Sequence, residues 1–234
     1  MDCRLDRDFR PFHQDPRQAR RSELSPGSKS NSLPASAVGV VHEKLISGRR
    51  VEVLTNWFAQ LLPPGSRILD VGCGDGRLSA ILQTKRADLS IRGIDVLPRT
   101  HSHIPVDLFD GTRIPFPDAS FNVVLFSDVL HHTADPTILL REARRVASRH
   151  VLLKDHYRKG IAAQARLRLM DWVGNARFGV ALPFNYWSVD QWHTAWRDVG
   201  LRPQQLVTRL GLYPPPADWV FGAKLHFIAL LDLV

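Results

Sequence analysis

Two groups of residues in this 234-residue chain have types and spacings suited to chemistry. One is the run Lys154-Asp155-His156-Tyr157, which places a cation, a carboxylate, an imidazole and a phenol at the end of the apolar stretch Val151-Leu152-Leu153. Imidazole titrates near neutrality, so His156 could take a proton from a hydroxyl, with Asp155 orienting it or a substrate. His131 is a second imidazole suited to that work, whereas His132 and His193 read as structural. A hydrogen-bonded loop anchor would use the same residue types as the Lys154 run, and the sequence leaves both readings open. The other group is Asp70-Val71-Gly72-Cys73-Gly74-Asp75-Gly76. Its glycines let a ligand approach the main chain closely, and the N–H groups of a following helix face whatever sits there. Asp70 repels a pyrophosphate but attracts an ammonium, which suits an amino-acid-like cofactor. The spacing G-x-G-x-G also differs from the dinucleotide pattern G-x-G-x-x-G and argues against a dehydrogenase.

These residues need strands and helices to position them. Ile68, Leu69 and Val71 form the short apolar run of a strand buried on both faces, and the pattern turns helical from Arg77 to Leu82. Ser90 to Asp95 reads as a second strand, and an acid about 20 residues after a glycine loop is placed to hold a ribose diol. Leu97 to His103 is short and broken by Pro98, which predicts a reduced crossover before a third strand over Ile104 to Phe109. Phe121 to Ser127 is a central strand. In an open α/β sheet ligands sit beyond the carboxyl ends of the strands, so Ser127, Asp128, His131 and His132 should border the pocket. Asp135-Pro136 starts a helix over Thr137 to Ala147, with Ile138, Leu139 and Val146 toward the sheet and Arg141, Arg144 and Arg145 toward solvent. His150 to Tyr157 is a fifth strand. Ile161 to Val173 has helical spacing through Leu167, Met170 and Trp172, followed by an aromatic stretch to Trp187. Ser188 caps a helix over Val189 to Val199 that Gly200 stops, and Leu206 to Leu212 and Leu225 to Leu231 form a closing antiparallel pair.

The run from Asp70 to Gly76 resembles the first motif of class I S-adenosylmethionine-dependent methyltransferases, and the later segments follow in that family's order. Phe121 to His132 resembles the fourth motif of the small-molecule branch, and Asp110 to Asp118 the adenine-side turn. The resemblance implies an α/β fold, Rossmann-like and doubly wound, with a mostly parallel seven-stranded sheet and an antiparallel last strand. It implies S-adenosyl-L-methionine as cofactor, with Asp70, Gly72, Cys73 and Gly74 at its methionine end. Asp95 then holds the ribose, with Val96 beside it among the cofactor contacts. Asp110 and Gly111 lie at the adenine, where Asp107 is the competing carboxylate, and Ser127 and Asp128 border the site. The insertion over 158–187 sits where this family builds a substrate lid.

Composition bounds the rest. At 44% hydrophobic residues the chain can bury one core, read as a single domain over 39–234. Residues 1–38, rich in Arg, Pro and Ser, read as a flexible tail. Its aspartates Asp2, Asp6, Asp8 and Asp15 argue against a transit peptide, and it lacks the apolar core of a signal sequence. No apolar run is long enough to span a bilayer, and the cysteines, Cys3 and Cys73, give no disulfide framework, so cytoplasm is the simple reading. The net charge of +8 raises a nucleic-acid partner. The basic residues are scattered, however, and Ser127-Asp128-Val129-Leu130 stands where nucleic-acid enzymes of the family carry Asn/Asp-Pro-Pro-Tyr. The reading is therefore methyl transfer to a small-molecule acceptor, most simply a hydroxyl oxygen, by in-line displacement. An RNA methyltransferase and a non-catalytic binding protein are the alternatives. Catechol-type relatives hold Mg²⁺ between two strand-end aspartates and an amide. Asp128 and Asp155 match the first two, but His156 stands at the amide position, so no metal ligands are assigned.

Overall fold

The computed structural model describes residues 48–97, 99–175, 184–222 and 224–234. The tail expected over 1–38, with Cys3, lies outside them, as do residues 176–183 of the insertion. In chain order the elements are α1 (Gly48–Leu61), β1 (Arg67–Val71), α2 (Arg77–Lys85), β2 (Ser90–Asp95), β3 (Val106–Leu108) and β4 (Phe121–Ser127). After a 3₁₀ turn over Leu130–His132 come α3 (Pro136–Val146), β5 (Ala147–His156), α4 (Ala163–Asn175), α5 (Val189–Asp198), β6 (Leu201–Val207) and β7 (His226–Leu233).

The seven strands form one sheet in the order β3-β2-β1-β4-β5-β7-β6, parallel except for β7, which runs antiparallel to β5 and β6. This is the α/β architecture the motifs imply. Successive strand residues point to opposite faces, and both faces are covered. Val124 and Phe126 of β4 join Val151 and Leu153 of β5 under α3 and α5. Val123, Leu125 and Leu152 join Leu54 and Phe58 of α1 on the other face. Among the described residues no helix separates β2 from β3, the reduced crossover that Leu97 to His103 suggests.

Several element details differ from the expectation. The buried stripe of α3 is Pro136, Leu139, Leu140, Ala143 and Val146, which leaves Ile138 off it and 41% exposed. Arg145 is no solvated arginine: its guanidinium binds Glu142 and donates to the carbonyls of Ile114 and Phe116 at 2.9 and 2.8 Å. β6 begins immediately after the Gly200 turn, five residues earlier than expected, because an edge strand can expose Arg202, Gln204 and Gln205 and so lacks the apolar run that marks a buried strand. Leu210 and Leu212, assigned to that strand, are buried in the following loop. On α4 the buried positions are Ala163, Leu167 and Asp171, so Trp172 falls a step off the stripe and is 61% exposed.

Candidate active site

The glycine loop leaves β1 at its carboxyl end, where Gly72 and Cys73 donate their N–H groups to the Ile94 carbonyl at 2.7 and 3.2 Å. Gly72, Gly74 and Gly76 all have positive φ, 73°, 60° and 73°. Their surroundings differ. A Cβ on Gly72 would lie 2.6 Å from Val129, and one on Gly76 would collide with Ile104, so these two glycines serve packing. A Cβ on Gly74 would meet nothing within 4 Å. That open side is the cradle in which a ligand can approach the backbone.

Asp95 holds the cradle in shape. Its Oδ2 accepts from Gly74 N at 2.7 Å and its Oδ1 from Leu97 N at 2.9 Å, which still leaves lone pairs for ligand hydroxyls. Asp70 is buried beneath the loop, where Ser79 Oγ donates to it at 2.6 Å. Burial pushes its pKa up to about 6 against the opposing effect of that bond. It therefore ties the loop to the first turn of α2. Val96 is 52% exposed beside Gly111, which has a φ of 81°. Asp110 Oδ1 accepts from Thr112 N, Thr112 Oγ1 and Arg113 N at 2.7, 2.9 and 2.8 Å, leaving Oδ2 with no hydrogen bond among the described residues. The competing Asp107 is engaged by Arg92 Nε at 2.6 Å.

The carboxyl ends of β4 and β5 carry a chain of alternating charges. Ser127 is in register with Lys154, and Asp128, with a φ of 61°, follows it. Asp128 is paired on one side with Arg50 of α1 and on the other with the buried Lys154. Burial raises the Asp128 pKa, but Arg50 and Lys154 outweigh it and hold the carboxylate well below the ordinary range. Burial and then Arg50 bring Lys154 down to about 8 against the pull of Asp128. Next to this trio, His156 Nδ1 lies 3.3 Å from Asp155 Oδ1 and 3.6 Å from Asp128 Oδ1. Burial and Lys154 lower the His156 pKa to about 4, so the ring is neutral at neutral pH. Two carboxylate oxygens beside Nδ1 keep the ring proton there, and Nε2 is then the basic nitrogen.

Asp155 also accepts from His131 Nδ1 at 2.7 Å and from Leu130 N at 3.1 Å. Burial opposes a charged His131, yet Asp155 and then Asp171 outweigh it and push the pKa up to about 10. His131 Nδ1–H is committed to Asp155, so that nitrogen is a positioning group and not a free base. Tyr186 donates to Asp171, and Tyr157 is a core residue, stacked on Phe227 with ring centroids 4.2 Å apart. The structure therefore separates the Lys154 run into an ion-pair partner, an orienting carboxylate, a neutral imidazole and a core residue.

Four members of this network were missed by the sequence reading, Arg50, Asp171, Tyr213 and His226, and three of them, Arg50, Tyr213 and His226, carry no sequence signal. Arg50 Nη1 donates to Tyr213 OH at 3.3 Å, and Lys154 Nζ lies 3.3 Å from His226 Nδ1. Arg50 reaches Asp128 across 78 positions of sequence. Asp171 could have been found, because it is a carboxylate on the otherwise apolar stripe of α4.

A family model described as a methyltransferase domain matches residues 45–206. Among curated proteins, the 2-methyl-6-phytyl-1,4-hydroquinone methyltransferase of a Synechocystis strain is 29% identical over 168 residues, covering 64% of this chain and 48% of that protein. The 27-O-demethylrifamycin SV methyltransferase of Amycolatopsis mediterranei is 32% identical over 108 residues, covering 40% and 39%. The matched segments span less than half the length of either relative. A solved SAM-dependent methyltransferase from Aquifex aeolicus superposes with a TM-score of 0.54 at 18% identity, covering 83% of this chain and 93% of that one, a likeness of fold.

Proposed function

Because this chain belongs to the methyltransferase-domain family, among the class I S-adenosylmethionine-dependent methyltransferases, we propose that it transfers a methyl group from that cofactor to a hydroxyl oxygen of a small molecule. The residues fit the cofactor: the open side of Gly74 admits a ligand against the backbone, and Asp95 presents a carboxylate with spare lone pairs beside it. Asp70, Gly72, Cys73 and Gly74 would form its methionine end, Asp95 and Val96 its ribose side, Asp110 Oδ2 and Gly111 its adenine side, and Ser127 and Asp128 the wall toward the acceptor. When bound, the cofactor supplies an electrophilic methyl carbon on sulfur.

The observation that carries the acceptor side is the neutral, buried imidazole of His156, with Nδ1 against Asp155 and Asp128. His156 Nε2 accepts the proton as the acceptor oxygen forms its bond to carbon, and Asp155 and Asp128 stabilise the imidazolium that results. Asp155 is a positioning residue in this scheme. Arg50 and Lys154 together exceed the charge of Asp128 by one, and the neighbouring carboxylate of Asp155 offsets that excess. The Nδ1–H of His131 holds Asp155 in place. The names of the relatives, one of them a 27-O-demethyl compound, favour a small-molecule acceptor. Mass spectrometry of products from a panel of phenols and hydroquinones tests this. Methyl groups found only on nitrogen or carbon would remove the hydroxyl reading, and the absence of S-adenosylmethionine binding by calorimetry would remove the donor.

A further inference from the structure

We propose that His131 Nε2, His132 Nδ1 and Asp171 Oδ2 form a binding site for one divalent transition-metal ion of the zinc type, which pins α4 to the 3₁₀ turn after β4. These three residues can offer ligand atoms that all lie within 4.8 Å of one another. His131 is 1% and Asp171 7% exposed, and His132 is partly exposed, so the three lie at the rim of the interior where an ion can enter. His131 Nε2 and His132 Nδ1 are both buried and have no hydrogen-bond partner among the described residues. Buried polar atoms are almost always paired, and two unpartnered nitrogens on imidazoles whose ring centroids lie 4.0 Å apart call for an occupant.

Distances separate a metal from a proton as that occupant. His131 Nδ1 meets Asp155 at 2.7 Å, the length of a charge-assisted hydrogen bond. His131 Nε2 stands 3.3 Å from Asp171 Oδ2 and fails as a hydrogen bond. Two ligands about 2.0–2.1 Å from a tetrahedral ion lie about 3.3 Å apart. Outer contacts fit as well. A metal-bound histidine donates its other ring N–H to a carboxylate, as His131 does to Asp155, and ligating carboxylates are themselves hydrogen-bonded, as Asp171 is by Tyr186. Two imidazoles and one carboxylate suit Zn²⁺, Co²⁺ or Fe²⁺ and not Mg²⁺, and three protein ligands leave one coordination position open. This site is distinct from an Asp128–Asp155 magnesium site, whose first carboxylate is occupied here by Arg50 and Lys154.

The test is Co²⁺ titration of chelator-treated full-length protein, read by visible absorption and by calorimetry. One equivalent should bind with the absorption of a four-coordinate ion. Asp171→Asn, nearly isosteric, and His132→Gln, at a partly exposed position, should each weaken binding more than about 100-fold, beyond the loss from outer-shell changes. His193→Ala, on the exposed face of α5, should leave it unchanged. Binding retained by either ligand variant, or no stoichiometric binding by the folded wild-type protein, overturns the site.

Discussion

At the residue scale the division of labour among histidines and carboxylates is set by what lies within about 4 Å of each. His156 and His131 are both buried and share Asp155, yet one is neutral and the other charged. The difference is the second neighbour. Lys154 disfavours charge on His156, whereas Asp171 favours it on His131. His156→Gln is expected to lower kcat by about 10²–10⁴ while leaving cofactor affinity unchanged, because only a general base is removed. A kcat within a few-fold of wild type would count against the base. Asp95→Ala removes the clamp on Gly74 and should weaken S-adenosylmethionine binding by about 10–100-fold in calorimetry. Unaltered affinity would remove Asp95 from the ribose site. Asp95 was legible from its spacing after the glycine loop. The charge preferences of His131 and His156 were not, since that of His131 depends on Asp155 and Asp171, 24 and 40 positions away, and that of His156 on its burial in the folded interior as well as on Lys154.

At the scale of elements, one loop uses the same residue for two purposes. Gly74→Ala meets open space and should cost only the strain of a positive φ, about 1 kcal/mol, while abolishing cofactor binding. Gly72→Ala adds a collision with Val129 and should cost about 2–4 kcal/mol. Denaturant unfolding and calorimetry on the two variants check this, and the reverse order of stabilities would contradict the packing role. Asp135 caps α3, with its Oδ1 accepting from Thr137 N at 2.9 Å. Asp135→Ala should therefore lose about 1 kcal/mol with cofactor affinity intact. The cap, the loop and the capping box of Ser188 were readable because each is closed by neighbours within a few residues. β6 was not: an edge strand without an apolar run is defined by its pairing with β7, as Leu206 with Ala229.

At the scale of the whole molecule, the buried network makes stability depend on pH in both directions. His156, lowered from 6.5 to about 4, and His132 and His226, also lowered, favour the neutral form in the fold. Their contribution is lost as pH falls from about 6.5 toward 4. Asp70, raised from 3.8 to about 6, acts oppositely there, one group against three. His131, raised from 6.5 to about 10, stabilises fully below 6.5 and loses its contribution as pH rises. Lys154, lowered from 10.5 to about 8, counteracts that only above pH 8. Metal-free protein should thus show its highest Tm near pH 6.5, and a Tm that climbs steadily from pH 6.5 to 8 would falsify the assignment of His131 as a cation. The sequence by itself determined the order of strands and helices and the glycine loop with its acidic partners, because these are carried by local patterns and fixed spacings, and the family these motifs resemble supplied the methyl donor. Only the tertiary structure decided which residues share the polar interior. Arg50, Asp171, Tyr213 and His226 come from four distant segments, and what they do to Asp128, His131 and Lys154 falls off so steeply with distance and solvent that it exists only after the sheet, α1 and α4 have brought them within contact.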